Sequence, residues 1–520
     1  MSVVGTSGRA SVLAFLCTLT SSLFCYLVLD PSIGFDDANI TLNYAENIAA
    51  GHGYVYNIGG ERVEGSTSPV WTAINTAAYL LPVDPVITLA SLGFGIAWAI
   101  VWLSMRCGEH AFRLAGAPVD RAPLLVGFGF LALPTFFGWV VWSLMDFGFW
   151  VLLTTSVFWL AAQSLLRGGT GGGFMAFGLF TALMAATRPE GIAVVLGFAA
   201  LLFFCSLFLD TEPARLRATA LVGLLAGGLS YGAVAMVRLI YFGDLFPNTY
   251  YSKVSTDHLS QVLQGVRYLK EFLESPLNAG LLVLGILAFF AVGRDGDKRA
   301  FRAFWVFTIL AVYGGMALYV LIGGDHFGSF RFFLFVYPAL FPLAGLTLWR
   351  LYRMLPGLVR RPVVPLLIGL ALLVATSGRF AIHKGGYAHE LRIAEQGRAI
   401  GRILNGYPGT PSIGVVPAGG VAMTFEGHIY DLLGLNWVDM ARAERGQVGA
   451  YINHGGFSRT VFYATLPDIV HPQFGDCDKA GYDGNQFFGT VLKQIFQEET
   501  FQDLYAFECF EGLRFYKLAG

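Results

Sequence analysis

From Ser11 to Ser377 the chain alternates long apolar runs with short polar stretches. Eleven runs, at about 11–29, 86–105, 122–142, 147–166, 171–187, 191–209, 218–237, 277–293, 303–322, 332–349 and 362–377, predict membrane-crossing helices. Each approaches the roughly 20 residues a helix needs to cross the hydrocarbon. The first run lacks a small-x-small cleavage site and is followed by ten more, so it reads as a retained anchor. A further run, Ser68 to Leu81, is short for a span and fits an interfacial or re-entrant helix. If it does not cross, the loops fall into two sets with 15 and 7 Lys plus Arg. The richer set should be cytoplasmic, which puts the N-terminus inside and everything after Ser377 outside. From Gly378 onward the pattern becomes that of a soluble domain. A polar helical stretch spans 388–405, and β-like runs occur at Ile413–Val416, Thr460–Tyr463 and Phe507–Tyr516. The expected architecture is therefore an α-helical polytopic membrane domain (1–377, about 11 transmembrane helices) followed by a C-terminal extracytoplasmic α/β domain (378–520).

Composition agrees with this picture. Of the 520 residues, 55% are hydrophobic and 13% charged, and the mean hydropathy is +0.59. An average soluble protein carries about 25% charge. A net charge of −1 supplies no field to attract nucleic acid. The six cysteines form no CxxC or Cys/His cluster, which argues against a zinc site. Cys477 and Cys509 fall in the outer tail, where a disulfide and two buried thiols are both open readings.

With this sidedness the chemically unusual residues fall on the outer face. Asp36 and Asp37 open a segment with helical periodicity soon after the first span. Acids there suit a helix N-terminus. Two adjacent, partly desolvated carboxylates also raise one pKa toward the working range of a base. Asp146 lies between two spans, as an N-cap or as a functional acid. Arg188 and Glu190 flank a tight turn, as an internal ion pair or with the guanidinium on a phosphate. Lys253, Asp325, His326 and Arg331 complete the set. Snorkelling is the alternative for Lys253 and Arg331. Acids and cations gathered on one face suit a transferase in which the cations hold a lipid-linked phosphate and the carboxylates serve a hydroxyl acceptor.

The string Asp36-Asp37 … Gly51-His52-Gly53 … Asn57 … Gly59-Gly60-Glu61-Arg62-Val63-Glu64-Gly65 resembles the first loop of GT-C-type glycosyltransferases. It is most similar to the bacterial arabinofuranosyltransferases that cap cell-wall arabinan and their pilin-modifying relatives. The resemblance continues through Arg188-Pro189-Glu190-Gly191, Gly243-Asp244 … Pro247-Asn248-Thr249, Gly324-Asp325 … Arg331-Phe332 and Asp431-Leu432-Leu433-Gly434-Leu435-Asn436. It implies a GT-C-like fold in a bacterial plasma membrane, a polyprenyl-phosphate-linked sugar donor such as decaprenyl-phosphoryl arabinofuranose, and a glycan or glycoprotein acceptor. It further implies catalysis by Asp36 or Asp37, donor-phosphate binding by Arg188, Lys253 and Arg331, and substrate contacts at Glu64, Asp146, Glu190, Asp325 and His326. No cofactor is required. Acids beside a phosphate would accommodate a divalent cation, but a monophosphate donor flanked by Arg and Lys does not need one. Mannosyl and aminoarabinose transferases of the same type, and a transporter or flippase of lipid-linked sugars, remain alternatives.

Overall fold

The computed structural model describes residues 3–29, 32–167, 171–208, 213–253, 258–356, 363–382, 384–443, 455–477, 492 and 495–519. In chain order the helices are α1 (Val3–Val28), α2 (Asp36–Ala49), α3 (Pro69–Tyr79), α4 (Pro85–Leu114), α5 (Ala122–Leu131) and α6 (Pro134–Phe137). Next come α7 (Phe147–Arg167), α8 (Gly171–Thr187), α9 (Gly191–Phe208), α10 (Pro213–Phe242), α11 (Asn248–Lys253) and α12 (His258–Leu273). They are followed by α13 (Pro276–Leu287), α14 (Lys298–Leu321), α15 (Val336–Met354), α16 (Val363–Ile382) and α17 (Gly385–Leu404). The chain forms two compact units, each built from three stretches. The first is Met1–Ser32, Leu89–Val234 and Leu259–Tyr387; the second is Ile33–Thr88, Ala235–His258 and Ala388–Gly520. The first loop, expected within 1–377, is thus grouped with the tail.

The first unit is helical. Among the described residues seven helices are long and apolar enough to cross a membrane, or up to nine if each of two bent pairs is one span. The expected eleven also counted the shorter apolar stretch Gly173–Thr187 and α15. The run Ser68–Leu81 holds α3, whose 11 residues are too few to cross. One bent pair turns by 77° where α5 meets α6. Pro134 causes this turn, because the residue before a proline avoids the helical region and Leu133 sits at φ −129, ψ 66. Two side-chain donors add to carbonyls of α6 that also accept from the Gly138 N–H: Cys25 Sγ lies 3.0 Å from the Pro134 oxygen, and the Tyr387 hydroxyl 2.8 Å from that of Thr135. A π-helical turn, Gly138–Trp142, follows. In α15, Pro342 lacks the N–H that would bond the Pro338 carbonyl. Ser104 Oγ of α4 donates to that carbonyl instead, at 2.9 Å.

The second unit carries a five-stranded sheet in the order β2-β1-β3-β5-β4. Its strands are β1 (Ile413–Val415), β2 (Ile429–Asp431), β3 (Ile469–Phe474), β4 (Tyr505–Phe510) and β5 (Leu513–Leu518). β1 runs parallel to β2 and β3, and β5 antiparallel to β3 and β4. The helices between and beside them are α18 (Gly419–Ala422), α19 (Val438–Arg442), α20 (Arg459–Thr465) and α21 (Glu499–Leu504). The run Thr460–Tyr463, expected as β-like, is the helix α20. Ser458 caps it by accepting from the Val461 N–H, and Phe462 is buried while its neighbours are not. The run Phe507–Tyr516 divides into β4 and β5. Glu511 (φ 47) and Gly512 (φ 80) make a two-residue turn with both φ positive, the geometry that suits a tight hairpin. The expected helix at 388–405 is α17. Ile40, Tyr44, Tyr56 and Val63 of the first loop share one hydrophobic core with Ile413, Val415, Ile469 and Phe515 of the sheet. Cys477 and Cys509 form a disulfide, so the buried-thiol alternative does not hold.

Candidate functional site

The singled-out residues form two clusters, one in each unit. In the second unit Asp36 is the first residue of α2 and is buried. Its carboxylate accepts the backbone N–H of Gly419 at 3.0 Å and of Gly420 at 2.7 Å. Glycine is needed at 419, because a Cβ there would lie 1.8 Å from the Asp36 carbonyl oxygen. Burial pushes the Asp36 carboxyl up to about 6, although the two N–H groups pull the other way. Asp37 differs. It is half-buried and makes no hydrogen bond or ion pair among the described residues. The neighbouring sequence positions are thus chemically distinct: one carboxylate is clamped, the other is available.

Asp431 is a second buried acid in this unit. Its carboxylate accepts from Leu433 N and Asn436 N, both at 3.0 Å, and from Asn436 Nδ2 at 2.9 Å. Burial again raises its pKa to about 6. Asn436 Oδ1 accepts from the Tyr44 hydroxyl at 3.1 Å, and that hydroxyl accepts from Gly65 N at 3.1 Å. The motifs Gly59–Gly65 and Asp431–Asn436 are therefore parts of one buried polar network. Asn57 extends it by bonding both the N–H and the carbonyl of Ile429. Glu64 is committed to Arg238 through two bonds of 2.7 and 2.9 Å, with both side chains buried. Lys253 ends α11 and is half-buried.

In the first unit Arg188 lies in the turn between α8 and α9. It bonds Asp146 at 2.7 Å and Glu190 at 2.6 Å, and its guanidinium lies 4.4 Å from the Phe147 ring centre. Arg331 donates to Asp325 through Nη2 at 3.0 Å, and its Nε lies in ion-pair contact with the other carboxylate oxygen at 2.5 Å. It stacks 4.1 Å from Phe327 and 4.8 Å from the same Phe147 ring. His326 Nδ1 lies 3.5 Å from Asp325. Five of the expected residues (Asp146, Arg188, Glu190, Asp325, Arg331) thus meet around one ring, with His326 beside them. The ion-pair reading of Arg188 with Glu190 holds, and Asp146 joins that pair. Non-glycine residues in left-handed backbone flank the cluster: Leu144 (φ 58), Ser329 (φ 68) and Phe330 (φ 55). Such conformations cost of order 1–3 kcal/mol each and gather at functional sites. Beside Arg188, Tyr319 accepts from Trp150 Nε1 at 2.9 Å and stacks on Phe332. Trp150 and Tyr319 also line an apolar cavity of about 50 Å3, together with Thr154, Phe158, Phe198 and Phe335 among others.

Two arginines face three carboxylates here, so the cluster is not a bare cationic site. No group of three or more His, Cys, Asp or Glu able to hold a metal ion occurs among the described residues. Sequence reasoning passed over Arg238 and Arg398. A cation at the end of an apolar run is a signal for a buried partner, and Arg238 carries that signal. Arg398 donates to Asn39 at 3.1 Å and lies within electrostatic reach of Asp36, and nothing local in the sequence marks it.

No family profile matches the sequence, and no curated protein sequence matches it. Solved structures do match. ArnT from Cupriavidus metallidurans bound to undecaprenyl phosphate superposes with a TM-score of 0.56 at 13% identity, over 82% of this chain and 87% of that one. The apo form of ArnT gives a TM-score of 0.57 at 13% identity, over 82% and 88%. The chain therefore has the GT-C-like fold that ArnT adopts, as the resemblance of its motifs implied.

Proposed function

We propose that the chain is a membrane glycosyltransferase. It moves a sugar, D-arabinofuranose, from a polyprenyl-phosphate carrier to an extracytoplasmic glycan or glycoprotein at a bacterial plasma membrane. The observation that carries this reading is the fold shared over 82% of the chain with ArnT, a protein solved with undecaprenyl phosphate bound. The first-loop string from Asp36 to Gly65 supports the choice of sugar.

In the reaction the acceptor oxygen attacks the anomeric carbon, and the bond from that carbon to the phosphate oxygen breaks. The phosphate leaves on the lipid, and the acceptor proton needs a base. Asp37 is that base: it is the unpaired member of the acid pair, whereas both oxygens of Asp36 are used by backbone N–H groups. Asp36 is a positioning residue that holds the start of α2. Arg188 and Arg331 receive the phosphate by exchanging donors now given to Asp146, Glu190 and Asp325. Phe147 keeps both guanidiniums in place during the exchange. Lys253 and His326 add donors. Glu64 stays with Arg238 and acts on architecture.

The test is transfer of radiolabelled arabinofuranose from synthetic decaprenyl-phosphoryl arabinose to a short arabinan by the purified chain. The expected outcome is turnover by wild type and a loss of roughly 10²–10⁴-fold in kcat for Asp37→Asn, with melting temperature unchanged. Lipid binding without consumption of this donor would remove arabinose. A mannosyl or aminoarabinose donor, or a carrier role, would take its place.

A further inference from the structure

We propose that α12 is an amphipathic helix lying in the boundary plane of the bilayer, with one face in lipid. The inference needs the membrane spans but not the transferase reading.

Three stripes run along this helix, each with the four-and-three spacing that keeps residues on one face. The first stripe, Gln261, Gly265, Tyr268 and Phe272, is buried in protein. Gly265 lies so close to α14 that a Cβ would come within 1.9 Å of the Val320 carbonyl oxygen. Gln261 donates to the Ile322 carbonyl at 2.9 Å, at the end of the same span. The second stripe, Ser260, Gln264, Arg267 and Glu271, is polar, and its two charged members are exposed. The third stripe is apolar and, among the described residues, stays largely uncovered: Leu259 is 70% exposed, Leu263 59% and Val266 48%. Lys270 falls on this stripe and reaches toward Glu274 at 3.9 Å, as a snorkelling lysine does.

The orientation identifies what covers the apolar stripe. After Leu273 the chain turns by 90° into α13, whose apolar residues continue to Phe290. A helix perpendicular to that segment, packed on the end of span α14, lies along the membrane plane. Immersion of both helices as a re-entrant pair would put Arg267, Lys270, Glu271 and Glu274 in hydrocarbon, which is costly for charges in lipid even with the Lys270–Glu274 contact. With the apolar stripe turned to acyl chains, the polar stripe meets headgroups and water, the arrangement of an interfacial helix. The protein-facing stripe carries Tyr268, whose hydroxyl accepts from Phe332 N at 3.3 Å and whose ring packs on Phe330 and Phe333. Arg331 and Asp325 therefore sit at the depth of the lipid phosphates.

The experiment places single cysteines at 259, 263, 266, 267 and 271 of the full chain and labels each with an environment-sensitive fluorophore. The labelled chains go into nanodiscs of phosphatidylethanolamine and phosphatidylglycerol, and melting temperature screens out misfolded variants. Expected is quenching by lipids brominated near the glycerol end at 259, 263 and 266, and quenching by aqueous iodide at 267 and 271. Equal access of iodide to all five positions overturns the proposal in favour of a water-exposed face. Lipid quenching at all five, charged positions included, overturns it in favour of a re-entrant pair.

Discussion

Neighbouring residues of one type serve different purposes here. Asp36 and Asp37 are equivalent in the sequence, yet backbone N–H groups from 383 and 384 residues away hold only the first. Asp36→Asn should therefore lower stability as well as activity, unlike Asp37→Asn. The acids Asp36 and Asp431 also make a pH prediction. Both are raised to about 6 by burial, against about 3.9 in an unfolded chain. Between these values the folded state binds more protons than the unfolded one, so stability rises as pH falls. The contribution is complete below pH 4 and lost above pH 6, at roughly 1–3 kcal/mol per group. Melting temperatures in detergent from pH 7 to pH 4.5 measure it. The rise on acidification should be smaller in Asp431→Asn than in wild type, and equal rises would refute the assignment.

Elements in the first unit depend on donors supplied by their neighbours. The carbonyl of Pro338 has lost its helical partner to Pro342 and is satisfied by Ser104. Ser104→Ala should cost about 1–3 kcal/mol, the penalty for a buried unsatisfied acceptor. In a Pro342→Ala background the restored N–H at 342 bonds Pro338, so the same substitution should cost little. A double-mutant cycle by equilibrium unfolding in mixed micelles reads the difference, and additive costs would exclude this role for Ser104. The hydrophobic runs marked these helices well, because a span must be apolar along its whole length. The bends at Pro134 and before Pro276 were visible as prolines but not as angles, since the direction of a bend depends on packing. The misread run at Thr460–Tyr463 is short and rich in β-formers, and a cap at Ser458 outweighs that local preference.

On the scale of the whole molecule, a cross-link and a shared core organise the second unit. The Cys477–Cys509 disulfide closes a loop with a sequence separation of 32. Restricting a loop of that length stabilises a fold by about 3–4 kcal/mol in the chain-entropy account. Cys477→Ser with Cys509→Ser should lower the unfolding midpoint of the tail, read by hydrogen exchange of peptides from 388–443. Exchange in α4 and α14 should stay as in wild type, and loss of protection there as well would contradict the two-unit division.

The sequence by itself determined the polytopic helical class, the soluble α/β tail and the residue types from which a site could be built. These follow from local quantities: the length of apolar runs, the period of burial and the cost of charge near hydrocarbon. Only the tertiary structure decided how those residues combine. It drew Arg188 to Asp146, Glu64 to Arg238, Asp36 to the Gly419–Gly420 amides and the first loop into the core of the tail. Each of these pairings joins positions 42 to 384 residues apart. A charged side chain near an apolar surface must find a partner, but many partners satisfy that demand. Which one it finds is settled by the packing of the whole fold.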